Sequence, residues 1–163
     1  MLRLILGRAG LAGLLWVAFA FNAWAQDRVA VNGPWTAQCR IDRVAGKTCE
    51  VQAVHDVRKA PLANYWLTYT LSDKVFAVAG APCPAAGRLW IDRHPGAEFD
   101  ACGRCACRMR TEDSARLIEL ARTGKSLFLE MKDSKGTAFG PYETRLRDFD
   151  KSYRAAAAAG AAR

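Results

Sequence analysis

Apolar and polar residues alternate along positions 35–41, which have the sequence Trp-Thr-Ala-Gln-Cys-Arg-Ile. A period of two predicts a β-strand with one buried face. The alternation resumes over residues 49–53, after a polar segment containing a glycine, which is typical of a turn. We therefore predict a β-hairpin with Cys39 and Cys49 on its inward face, close enough to form a disulfide.

Six further segments have the alternation or the composition of short β-strands. They are residues 62–71, 74–79, 88–92, 105–110, 126–131 and 142–146. Residues 80–87 contain two prolines and two glycines, which suit a hydrogen-bonded ladder poorly. We therefore predict a loop at that point.

Two segments have helical signals. Capping and acidic residues at 111–114 precede apolar residues at helical spacing, which predicts one short helix near residues 114–123. Phe149, Tyr153 and Ala157 are spaced four apart, which predicts a C-terminal helix. Many short strands with few helices indicate a mainly β fold, either a small antiparallel β-sandwich or a partly open barrel.

Residues 1–25 have the features of a cleavable signal peptide. Two arginines come first, and an apolar run without charge follows over residues 11–21. The run is about half the length that a membrane-spanning helix requires. Ala23 and Ala25 are the small residues that a signal peptidase recognises, so we expect the mature chain to begin at Gln26 and to have no transmembrane segment.

The mature chain is predicted to be one β domain over residues 26–154, followed by an alanine-rich tail over 155–163 that we expect to fray near Arg163. Cleavage removes two arginines and no acidic residue, so the net charge falls from +8 to +6. This charge serves solubility, or it favours acidic partners such as anionic lipids and glycans. The candidate anion-binding residues are Arg88, Arg93, Arg104, Arg108 and Arg110.

The six cysteines all follow the predicted cleavage site, and an even number in a small exported chain predicts up to three disulfides. Cys102 and Cys105 have the spacing of a redox pair or of half a zinc site. Cys83 and Cys107 could complete four zinc ligands, although disulfides suit an oxidising compartment better. Cys105 and Cys107 are badly placed to pair with each other on one strand face, and the pairing of these four cysteines stays open.

Motifs for catalysis are absent from the sequence, which has no nucleophile elbow and no phosphate-binding loop. A hydrolytic triad would have to use Ser114 or Ser126 without such a motif. His55 lies next to an aspartate on a strand, where neighbours point to opposite faces, and His94 precedes a Pro-Gly turn. We predict a protein that is not an enzyme, with no cofactor and no nucleic-acid partner.

Three tryptophans lie in the predicted strands. Trp35, Trp66 and Trp90 are interpreted mainly as core residues, with surface recognition as the alternative. Trp35 begins the inward face of its strand, so we expect it to pack near the disulfide of the hairpin.

Several features follow one another in order along residues 34–158. They are a Trp35–Cys39 strand, Cys49, a Cys102–Cys105 segment, a helix at 117–125, a strand at 126–131 and a closing Leu146–Phe149 motif. This order resembles the invasion-associated locus B family of exported bacterial proteins. Cys83, Cys107 and the Pro-Cys-Pro loop lie outside the family's pattern.

The resemblance implies a small, mostly β, disulfide-bonded protein of the periplasm or outer envelope of a Gram-negative bacterium. Named members are linked to host-cell invasion and have no established enzymatic activity. We therefore expect a periplasmic or secreted binding or accessory protein, with a protein or an acidic envelope or host-surface molecule as its partner. The alternative is a periplasmic thiol-redox or zinc-binding protein that uses the cysteines of residues 102–107.

Overall fold

The computed structural model of the chain describes residues 26–42, 46–57 and 63–162. The predicted signal peptide lies outside these residues, as does the middle of the predicted hairpin turn. The strands are β1 (Gln26–Asn32), β2 (Trp35–Asp42), β3 (Gly46–Val57), β4 (Ala63–Thr70), β5 (Val75–Ala81), β6 (Pro84–Ile91), β7 (Ala97–Gly103), β8 (Ala106–Met109), β9 (Ser126–Asp133) and β10 (Ala138–Arg145). The helices are α1 (Thr111–Thr123) and α2 (Phe149–Ala161).

The ten strands form one antiparallel sheet in the order β1-β2-β3-β4-β5-β8-β7-β6-β9-β10. Its edges are β1 and β10, so the sheet is not closed into a barrel. The prediction of a mainly β, antiparallel and partly open fold with two helices is confirmed. Within the described residues the strands are more numerous than predicted, since β1 and β7 were not anticipated.

The segment 80–87 was predicted to be a loop, and this prediction is wrong. β5 continues through Ala81 and β6 begins at Pro84, which leaves two residues between the strands. Pro84 occupies the first position of its strand, where a missing N–H is tolerated. Gly87 lies against β9 so closely that a Cβ there would collide with the Met131 side chain.

The strand predicted over 105–110 begins one residue late and ends one residue early. Arg104 and Cys105 form the turn between β7 and β8, with φ values of 51° and 60°. β7 was missed because only its first half alternates clearly, with Ala97 and Phe99 buried between exposed acids. A bulge between Phe99 and Ala101 then shifts the register.

The core lies between the two halves of the sheet, which folds over so that its inner faces meet. Tyr65 of β4 contacts Phe139 and Tyr142 of β10, with ring centroids 6.2 and 6.1 Å apart. Trp35 of β2 donates its Nε1–H to the carbonyl oxygen of Arg145 at 2.8 Å. These contacts join β2 and β4 to β10 without a β-ladder between them.

Both helices pack against the inner side of the sheet. The ring of Phe149 in α2 meets the ring of Trp35 edge-on at 4.7 Å. In α1, the buried Ser114 hydroxyl accepts a hydrogen bond from the Phe76 backbone N–H at 3.1 Å. α2 continues through the alanine-rich residues to Ala161, and Ala156 in that stretch is fully buried.

Neither helix in the described part of the chain combines the length and the hydropathy of a membrane span.

Candidate functional site

Three disulfides fasten the sheet. Cys39 and Cys49 are directly opposite each other on β2 and β3, and they are bonded with their Cα atoms 4.1 Å apart. This is the pair that the alternation of the hairpin predicts. The opposed positions bring both thiols to the inward face, where each residue is buried.

The other two disulfides lie together where β5, β6, β7 and β8 meet. Cys102 and Cys107 are opposed on β7 and β8 and are bonded to each other. Cys105, in the turn between these strands, bonds instead to Cys83, which lies between β5 and β6. The two cysteines of the Cys-x-x-Cys motif are therefore held by different partners, because the tight turn directs Cys105 away from the β7–β8 ladder.

All cysteines of the described residues are in these disulfides. A zinc site built from Cys83, Cys102, Cys105 and Cys107 would need their thiolates free. Within residues 26–42, 46–57 and 63–162, no group of three or more His, Cys, Asp or Glu side chains is placed to hold a metal ion.

The five arginines considered for anion binding lie on β6 and β8 and in the neighbouring turns. Arg108 pairs with Asp73 at 2.9 Å, and Arg110 pairs with Asp100 at 2.8 Å. The hydrogen bond from Arg110 lowers the pKa of the Asp100 carboxyl. The outer surface of β7 and β8 therefore carries both signs of charge.

The remaining three arginines are exposed but separated. Arg93 lies in the connection between β6 and β7, and Arg104 lies in the turn between β7 and β8. Because these strands are antiparallel, the two connections are at opposite ends of β7. The guanidinium of Arg88 lies over the ring of Trp90 at 5.8 Å from its centroid. Trp90 itself stacks on Phe128 of β9, with ring centroids 5.4 Å apart and planes 12° from parallel.

The serines that a hydrolytic triad would have to use have structural contacts instead. The Ser114 hydroxyl is buried against the β5 backbone. The Ser126 hydroxyl donates to Glu143 at 2.6 Å. His94 is exposed in the β6–β7 turn, and the side chain of His55 lies outside the described part of the molecule.

A shallow pocket of about 500 Å³ opens on the outer face of β2–β5. We call it the Trp66 pocket. Its lining residues are Gln38, Arg40, Glu50, Gln52, Trp66, Thr68 and Ala79. Sequence reasoning did not identify this site, because the residues come from four strands with ordinary polar side chains.

The pairing of the strands brings these side chains together. Gln38 is opposite Glu50 across β2 and β3, and Gln52 is opposite Thr68 across β3 and β4. Each alternates with a buried neighbour, so the side chains of the pocket point outward. Since both helices pack on the inner side, neither covers this face.

The polar side chains of the pocket are held in place by each other. The Gln38 Nε2–H donates to Glu50 Oε1 at 2.6 Å and reaches Gln52 Oε1 at 3.4 Å. Gln38 and Glu50 are only 7% and 8% exposed. Burial of a carboxylate is unfavourable without a hydrogen-bond donor, and the amide of Gln38 supplies that donor to Glu50.

Trp66 lies in the same pocket with its side chain 37% exposed, so its interpretation as a core residue is wrong. Its partner across the ladder, Val54, is 52% exposed. The alternation of β4 contained the signal for this placement. Tyr65 and Leu67 are fully buried, and the residue between them must therefore face the opposite side.

Comparison with known proteins finds a likeness in structure and none in sequence. No protein-family model matches this chain. No curated protein matches it either. The crystal structure of invasion-associated protein B from Bartonella henselae has a similar fold, with a TM-score of 0.54 at 15% sequence identity. The match covers 80% of this chain and 96% of that protein, so the two share the fold across nearly all of the Bartonella domain.

Proposed function

We propose that this chain is an exported, disulfide-stabilised binding protein of the bacterial envelope, without catalytic activity, and a distant relative of the invasion-associated locus B family. The observation that carries the proposal is the pairing of all cysteines of the described residues in three disulfides. Such bonds persist in oxidising compartments and are rare in the cytosol. The predicted signal peptide points to the same location.

Three further features support a role in binding rather than in catalysis. The fold is shared with an invasion-associated protein across nearly all of that protein's length. The hydroxyls of Ser114 and Ser126 have structural partners, and the cysteines of the Cys-x-x-Cys motif are bonded separately. The Trp66 pocket, in contrast, presents an aromatic side chain to solvent among polar lining residues. A partner in the envelope or on a host surface is the expectation that fits these features.

Expression of the full chain in a Gram-negative host tests the proposal. We expect the chain in the periplasmic or the secreted fraction, with Gln26 at its N-terminus and with three disulfides by non-reducing peptide mapping. Ala25→Leu is the matched control, because a large residue at the cleavage site should leave an uncleaved precursor. A full-length wild-type chain with free thiols in the cytoplasm would contradict the proposal.

A further inference from the structure

Trp66 is an unusual residue for the outer face of a β-sheet. Val54, its partner across the ladder, is also exposed, and neither α1 nor α2 covers this face of the sheet. Exposure of such a surface is unfavourable in water, and large exposed apolar patches often mark binding sites. The indole face is wide enough to support one ring of a ligand.

The rest of the Trp66 pocket is polar. Apart from Trp66 and Ala79, every lining residue has a side chain that donates or accepts hydrogen bonds. A protein interface would have a larger apolar centre, with charged residues depleted from it. An indole ring bordered by amide, carboxylate, hydroxyl and guanidinium groups is instead suited to a ligand that has many hydroxyls and one apolar face.

A sugar ring has this chemistry. The C–H bonds on one face of a pyranose pack against an aromatic ring, and the hydroxyls around its rim each donate and accept hydrogen bonds. Gln52 lines the pocket with Trp66 and is half-buried, and Gln38 orients its amide by donating to Oε1 at 3.4 Å. The volume of about 500 Å³ is within the range of small-molecule sites.

The charge of the pocket narrows the class of sugar. Arg40 and Glu50 are its charged lining residues and are of opposite sign, so the site has no net charge. An acidic glycan would gain little there over a neutral one. Binding should consequently depend weakly on ionic strength, in contrast to binding driven by the net charge of the chain.

We propose that the Trp66 pocket binds a sugar ring of an uncharged glycan, with the ring stacked on Trp66 and its hydroxyls bonded to Gln52. The proposal rests on the proposed function, since it names the ligand class of that binding protein. The strands supply every group of the site, so its geometry exists before the ligand arrives.

The test is a titration of the full chain, made in a Gram-negative host, with indole N–H resonances as the readout. The probes are methyl glucoside, methyl galactoside, methyl mannoside and the trimer of N-acetylglucosamine. Trp66→Phe assigns the Trp66 resonance by its disappearance. We expect at least one probe to shift this resonance saturably and equally at low and high salt, while the Trp90 resonance stays in place.

The affinities of variants inside and outside the pocket show which side chains bind the sugar. Trp66→Ala should weaken the affinity about tenfold or more, since the stacking surface is lost. Trp90→Phe is the matched control on the other outward-facing aromatic pair, and it should change the affinity less than about twofold. Gln52→Ala, which leaves the indole in place, should also weaken binding. It provides an independent test if Trp66→Ala does not fold.

Two outcomes separate this inference from the proposed function. An exported, cleaved chain whose Trp66 resonance is unmoved by every probe overturns the sugar assignment alone. The same holds if a protein or a second copy of the chain, and no sugar, binds at Trp66. A reduced chain retained in the cytoplasm overturns the proposed function whatever its indole resonances do.

Discussion

Trp35 joins three parts of the molecule through one side chain. It lies on β2, its ring meets Phe149 at the start of α2, and its Nε1–H bonds to the Arg145 carbonyl at the end of β10. The residue is 1% exposed. Alternation along β2 predicts that Trp35 is buried. Its hydrogen-bond partner, the Arg145 carbonyl, is 110 positions away along the chain and comes into contact with Trp35 because the sheet folds over.

Trp35→Phe should destabilise the protein by about 2 kcal/mol, since it removes the hydrogen bond and leaves a small cavity. Urea denaturation of the oxidised protein measures the difference. Trp66→Phe makes the same substitution on the surface and should change the stability by less than about 0.5 kcal/mol. Equal midpoints for the two variants would show that the indole N–H at Trp35 contributes nothing.

At the scale of elements, α1 and α2 are joined by an ionic contact. Arg122 of α1 donates from Nε to Asp150 Oδ1 of α2 at 2.8 Å, and its guanidinium lies 5.0 Å from the ring centroid of Tyr153. Arg154 reaches the other oxygen of Asp150 at 2.7 Å. The hydrogen bond from Arg122, together with the positive charge of Arg154, lowers the pKa of the Asp150 carboxyl.

The lowered pKa of Asp150 makes the stability depend on pH. The folded state favours the ionised carboxyl, so the stabilisation is fully present above the pKa of the unfolded chain. It is lost as the pH falls through the lower pKa of the folded state. We expect Asp150→Asn to be less stable than wild type at neutral pH and to approach it in acid.

Urea midpoints measured from neutral pH down to about pH 2 test this expectation. Asp27→Asn makes the same change of charge on the exposed strand β1 and serves as the control. A constant difference between Asp150→Asn and wild type across this range would exclude Asp150 as a source of the pH dependence.

The disulfides at the β5–β8 end differ in the length of chain that they close. Cys83–Cys105 spans 22 positions and Cys102–Cys107 spans 5. In the chain-entropy model, closing the longer loop stabilises the folded state by about 3 kcal/mol, and closing the shorter loop stabilises it by about 2 kcal/mol. The double variant Cys83→Ala/Cys105→Ala should therefore be the less stable of the two pairwise removals.

Removing both members of a pair leaves no free thiol to exchange with the remaining disulfides. Denaturation midpoints of the two double variants, each with its remaining bonds verified by mass spectrometry, give the order. If the Cys102→Ala/Cys107→Ala variant is the less stable, the length of the closed loop does not decide how much each disulfide stabilises the fold.

At the scale of the whole molecule, the fold depends on contacts between distant parts of the chain. The inner faces of β4 and β10 meet through aromatic rings, and two helices close the inner side. Such non-local contacts form only after long loops have closed, so folding loses chain entropy before these contacts stabilise the fold. The three disulfides close shorter loops of 10, 22 and 5 positions covalently, and so reduce the entropy of the unfolded chain that folding must remove.

Complete reduction should therefore lower the melting temperature by more than about 10 °C, because several kcal/mol of loop closure are lost together. Circular dichroism with and without a reductant measures the shift, and thiol titration verifies that reduction is complete. A fully reduced chain with an unchanged melting temperature would show that the core alone maintains the fold.

Alternation was sufficient to predict the hairpin of β2 and β3, because one inward face per strand is a local property of the sequence. It was insufficient at Gly87, where a Cβ would lie 2.9 Å from the backbone oxygen of Glu130 on another strand, β9. The start of β6 at Pro84 was also predicted wrongly as part of a loop, because the first position of a strand depends on where its partner strand can pair with it.

Period and local spacing along the chain were enough to predict the mainly β character, the two helices and the inward placement of Cys39 and Cys49. The bond between Cys105 and Cys83 and the interruption of the strand order between β5 and β6 depend instead on which strands meet in the folded molecule. The tertiary structure also created the Trp66 pocket. Its residues come from four strands and become neighbours only when the register of the sheet is set.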